Sequence, residues 1–244
     1  MKLKKLAAML LSLAATATLL ATPAQASLLG RDISGQAVAG SDTSAVFLYD
    51  TDLNITWLRD ANASATAGNT NDPYGKGVGG SMTWAVANTW ANTLTVGTFS
   101  GWRLPTTLQP DASCSYQDDI GAPFGTQDYG YDCAGSEMGH LWYTELGNTA
   151  GGLSNTGDLK NLQPWNYWSG TEYAPDTSNA WYFGTGYGVQ YTSIKSNELL
   201  AMAVRPGDVL AATVPEPGTL VLALAALAGL GVVRRRRAVG ALGL

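Results

Sequence analysis

The chain has 244 residues, 45% of them hydrophobic and 14% charged, with a formal net charge of −5. Seven of its 14 basic residues sit at the two ends, so residues 27–214 hold seven basic against 18 acidic side chains, a net of −11. A stretch that acidic repels phosphate backbones, which excludes a nucleic-acid partner, and it is long enough for one domain with its own core.

Lys2, Lys4 and Lys5 precede an apolar run over 6–20, and Ala24-Gln25-Ala26 puts small residues where a signal peptidase cuts. Residues 1–26 therefore read as a secretory signal peptide, cleaved at Ala24 and Ala26 to leave Ser27 first, with a retained N-terminal anchor as the alternative. Residues 27–46 form a lead-in. The strand character of 44–49, the turn Asp50-Thr51-Asp52 and a second short strand over 54–58 predict a β-hairpin. Ala, Asn, Thr and Gly dominate 61–80, a surface loop. Ser81 is placed to cap a helix over 82–94, with Trp84, Ala87, Ala91 and Leu94 at helical spacing.

The loop over 109–135 holds both cysteines and five carboxylates, Asp111, Asp118, Asp119, Asp128 and Asp132. In an exported chain Cys114 and Cys133 form a disulfide by default, two free thiols being the other state. A second helix is predicted over 137–146, capped by Ser136 and ended by Gly147-Asn148, with Met138, Leu141, Trp142 and Leu146 on one side. Strand-like runs follow over 179–184, 187–193 and 199–205, and residues 207–213 link to the tail. There Pro215-Glu216-Pro217 precede an uncharged run over 218–233, then Arg234, Arg235, Arg236 and Arg237, then a short tail over 238–244. As a helix that run spans about 24 Å, somewhat under the roughly 30 Å of a hydrocarbon core. Snorkelling arginines make up the difference, so 218–233 is predicted to be a transmembrane helix and the arginines its cytoplasmic stop.

The Pro-Glu-Pro, apolar run and arginine cluster over 214–237 resemble the PEP-CTERM sorting signal. That resemblance implies an exported bacterial protein held in the membrane until an exosortase cuts near the motif and delivers it to the cell surface or an exopolysaccharide matrix. An ordinary unprocessed anchor is the alternative. A second resemblance lies over 47–206. Asp50, Thr56-Trp57, Trp84, Ala87, Trp102-Arg103-Leu104-Pro105-Thr106, Tyr167-Trp168-Ser169-Gly170-Thr171, Ala180-Trp181 and Ala203-Val204-Arg205-Pro206 occur in an order similar to the Lcl C-terminal domain family, a domain of unknown function. It implies an α+β, C-type-lectin-like fold: two helices, a small twisted antiparallel sheet and long loops.

His140 is the only histidine, and no Gly-x-Ser-x-Gly elbow or HExxH helix accompanies it, so it reads as structural; no catalytic, cofactor-binding or metal-ligating residue is assigned. Calcium is the ion that the oxygens of Asp118, Asp119, Asp128 and Asp132 would suit. Gln109-Pro110-Asp111 copies a sugar-specificity tripeptide of C-type lectins at the wrong place in the chain. Arg103 and Arg205 are expected in internal ion pairs. Eight aromatics crowd residues 165–191, and Trp165, Trp168, Trp181 and Tyr187 are the candidates to face a glycan. The reading is a non-catalytic envelope or matrix protein binding extracellular polysaccharide. A hydrolase using Glu137, Glu145 or Glu172, and an ice-binding or adhesion protein, are the alternatives.

Overall fold

The computed structural model describes residues 28–210 apart from positions 74 and 76. The predicted signal peptide and the sorting tail, including 218–233, lie outside the described residues. β2 (Ala45–Asp50) and β3 (Ile55–Leu58) form the predicted hairpin, paired from Phe47 with Leu58 to Asp50 with Ile55. Its turn is built by Asp50, whose Oδ1 accepts the backbone N–H groups of Asp52 and Leu53 at 3.1 and 3.0 Å. Asn54 then takes a left-handed φ of 51°, which its side chain tolerates. β1 (Leu28–Asp32) pairs with β2, and β9 (Val204–Pro206) pairs with β3, giving an antiparallel sheet in the order β1-β2-β3-β9.

A second sheet joins β6 (Asn166–Glu172), β7 (Asn179–Gly184) and β8 (Val189–Ile194) in sequence order. The third is a hairpin of β4 (Tyr116–Asp119) and β5 (Thr126–Tyr129), tied to β8 where Gly130 and Gln190 exchange backbone hydrogen bonds of 2.9 and 2.8 Å. Helices are short. α1 covers Ala63–Thr66, α2 covers Trp84–Thr93, and α3 covers Glu137–Gly139 before the chain widens into a π-helical turn over His140–Glu145. The main core packs Leu48, Trp57, Met138, Leu141, Trp142, Tyr167 and Leu200 between the first two sheets and the π-turn. A second cluster sets Ala87 and Ala91 of α2 against Trp168 of β6, and a third gathers Phe47, Trp102 and Val209.

This corrects the expected α+β, C-type-lectin-like architecture. The molecule is mostly β, with three sheets and few short helices. The acidic loop over 109–135 contributes a hairpin, the chain before residue 45 contributes a strand, and the second helix keeps only three α-helical residues. Nor is any helix among the described residues long and apolar enough to cross a membrane. The expected transmembrane helix, 218–233, lies outside them.

Candidate functional site

The hairpin β4–β5 carries a face of Tyr116, Asp118, Gln127 and Tyr129. Tyr116 stands opposite Tyr129 and Asp118 opposite Gln127, and directly opposed residues project to the same side. Across from that face lie Tyr173, which follows β6, Trp181 of β7, and Tyr191 and Thr192 of β8. Together Asp118, Gln127, Tyr129, Tyr173, Trp181, Tyr191 and Thr192 enclose a cleft of about 140 Å3. Tyr116 stacks on Tyr129 with ring centres 5.5 Å apart, and Tyr129 meets Tyr191 edge to face at 5.3 Å. Tyr173 meets Trp181 edge to face at 5.5 Å. Tyr116 and Tyr191 are 56% and 48% exposed, well above the usual exposure of packed aromatics.

Three anchors hold the hairpin in place. Cys114 and Cys133 are bonded at its base. Gln109 clamps the backbone of Asp128, donating to its carbonyl and accepting its N–H, both at 2.7 Å. Buried Gln190 donates to the same carbonyl at 3.3 Å. Inside the cleft, Gln127 is oriented by donating to the carbonyls of Phe124 and Thr126 at 3.0 and 3.2 Å. Partial burial, then the Asp118 carboxylate, push the Tyr173 phenol above its ordinary range, so it stays a hydroxyl donor. The cleft thus joins upright aromatic faces to a carboxylate, an amide and hydroxyls. It can stack on a ring and hydrogen-bond to that ring's substituents.

The candidate glycan-facing aromatics divide. Trp181 is nearly buried but forms a wall of the cleft. Trp168 is fully buried, with its indole N–H on the Met82 carbonyl at 2.9 Å, because α2 covers β6; it cannot face a glycan. Trp165 is half-buried beside the main core, and Tyr187 is 65% exposed in the β7–β8 turn, outside the cleft lining. Tyr116 and Tyr129 escaped the sequence reading. The signal was their spacing within two polar strands of matched length.

The four aspartates considered for calcium do not converge. Asp118 and Asp119 are exposed neighbours on one strand, so they point to opposite faces; Asp128 is buried, and exposed Asp132 lies beyond the hairpin. Gln109-Pro110-Asp111 is committed to structure, since Asp111 accepts from Ser113 and from the Gly135 backbone. Arg103 pairs with Glu137 at 2.6 Å, whereas Arg205 donates to the Ser100 carbonyl at 3.2 Å and lies over the Phe99 ring. The alternative hydrolase carboxylates are scattered: Glu137 is held by Arg103, Glu172 meets Lys195 at 3.1 Å, and Glu145 is buried beside His140. Burial first, and the Asp50 carboxylate second, push the Glu145 carboxyl up.

Residues 213–237 match the PEP-CTERM protein-sorting motif. The chain therefore carries the mark of an exported protein sorted by an exosortase. No curated protein matches the chain.

Proposed function

We propose that this exported, exosortase-sorted protein is a non-catalytic binder of neutral extracellular polysaccharide, with the tyrosine cleft between β4–β5 and β7–β8 as its binding site. The observation that carries the reading is the set Tyr116, Tyr129 and Tyr191, packed ring to ring beside Asp118 and Gln127, with Tyr116 and Tyr191 exposed to solvent. Aromatic faces stack on pyranose rings at low entropic cost, and the polar groups between them match sugar hydroxyls. The cleft is smaller than the roughly 300–1,000 Å3 of sites that engulf whole ligands, which suits one ring of a long polymer. Uncharged sugars fit best, because a domain of net charge −11 with a carboxylate in the cleft repels uronates. Two further facts support the absence of catalysis: Glu137 and Glu172 are engaged by cations, and neither lines the cleft.

Affinity electrophoresis through gels containing neutral or uronate polysaccharides tests the proposal. Retardation is expected in a neutral gel, with no reducing ends released. Tyr129→Ala and Tyr191→Ala should each weaken it about tenfold, in line with a stacking contribution of about 1.4 kcal/mol. Equal mobility in every gel would overturn the reading.

A further inference from the structure

The sole histidine of the chain is placed among carboxylates. His140 Nε2 lies 3.4 Å from Glu145 Oε1, 3.9 Å from Asp52 Oδ2 and 4.0 Å from Asp50 Oδ1. The Asp50 side chain is wholly buried and that of Glu145 is 1% exposed, while Asp52 is 42% exposed and faces solvent. His140 Nε2 and Glu145 Oε1 are both buried and face each other at 3.4 Å, and neither makes a well-formed hydrogen bond. Buried polar atoms held so loosely are costly, and a ligand between them would satisfy both.

Charge points the same way. Three carboxyl groups and one imidazole converge on one spot. Among the described residues, the ion pairs of arginine and lysine lie elsewhere, at Asp208, Glu137 and Glu172. The backbone is built to bring these groups together. Residues five apart on an α-helix diverge by about 140°. In the π-turn over His140–Glu145 the repeat is wider, so His140 and Glu145 come round to one side, as in the Leu146 N–H to Leu141 carbonyl bond of 2.9 Å. Asp50 is held in place by the N–H groups of Asp52 and Leu53, which reach Oδ1, and by the Trp57 indole, which reaches Oδ2 at 3.4 Å, as a supported ligand should be.

We propose that Asp50, His140 and Glu145 bind one divalent transition-metal ion, with Asp52 at the solvent-facing side as entry point and fourth ligand. One ligand atom from each of the first three lies within 4.8 Å of the others. Tetrahedral ligands at about 2.0–2.2 Å from zinc stand roughly 3.4 Å apart, so small side-chain movements complete the sphere. One imidazole among carboxylates suits Zn2+ or Mn2+, whereas Ca2+ takes oxygen ligands alone. The ion ties the β2–β3 turn to the π-turn and does not depend on the sugar-binding reading.

The experiment uses the whole purified protein without a polyhistidine tag, stripped with a chelator and titrated with Zn2+ alone, with Ca2+ in parallel. One equivalent of Zn2+ is expected to bind, to shift the single imidazole NMR signal and to raise Tm by several degrees, while Ca2+ leaves the imidazole unmoved. His140→Gln and Glu145→Gln should lower Zn2+ affinity at least tenfold while keeping the circular dichroism of the parent. Substoichiometric Zn2+, an unmoved imidazole, or variants that bind as the parent does would overturn the site. If either variant fails to fold, the parent's imidazole signal decides alone.

Discussion

Arg103 shows how a charge is kept inside this molecule. Its guanidinium bridges both oxygens of Glu137 at 2.7 and 2.6 Å and also donates to the Leu104 carbonyl at 3.0 Å. Glu137 in turn accepts the Thr106 N–H at 2.7 Å, so the pair fastens the Trp102–Thr106 segment to the start of α3. The hydrogen bonds it donates to Glu137 raise the Arg103 pKa above its ordinary value. Arg103 is about one-third exposed, which screens the pair. Arg103→Ala is expected to cost about 2 kcal/mol in urea unfolding, and Arg103→Lys to recover less than half, because an ammonium cannot bridge both oxygens. The sequence made the internal ion pair of Arg103 legible but not its partner. Glu137 is 34 residues away, and side-chain type alone served equally well for a catalytic acid.

Elements were legible where burial writes a period into the chain. β2 and β3 are short, largely buried runs around an aspartate turn, and the edges of α2 agree within a few residues with its expected range. β4 reads Tyr-Gln-Asp-Asp with every residue exposed, so no apolar alternation marks it as a strand. The π-turn is hidden for the opposite reason. Met138, Leu141, Trp142 and Leu146 are buried as an α-helix would also bury them, so the widened turn leaves no trace in the pattern. Its placement depends on Gly139, where any added Cβ would collide with the Cys133 carbonyl. That contact couples the π-turn to the disulfide at the base of β4–β5. Replacing Cys114 and Cys133 together by Ser should cost about 3 kcal/mol, read from denaturant midpoints. Because Tyr116 and Tyr129 ride on the freed hairpin, the same variant should also bind polysaccharide less tightly than its loss of folded protein explains.

At the scale of the whole molecule, three properties agree on an extracellular role. The PEP-CTERM motif over 213–237 marks the chain for sorting, the cysteines are paired, and the acidic balance favours solubility. The sorting motif was legible because it is a linear signal. The cleft was not, because it is assembled from β4, β5, β7, β8 and the segment after β6, and contacts such as the Gly130–Gln190 pairing bring the hairpin to the sheet. Replacing Pro215-Glu216-Pro217 by alanines should leave the protein unsorted, so mass spectrometry of its C-terminus is expected to find Arg234–Arg237 retained in the variant and absent from the parent. The most direct measurement of the account is NMR of the tyrosine rings during titration with a neutral oligosaccharide. Saturable shifts at Tyr129 and Tyr191, with the buried Trp168 signal fixed, are the predicted result. Tyrosine signals that stay still while the sugar binds elsewhere, or does not bind at all, would contradict it.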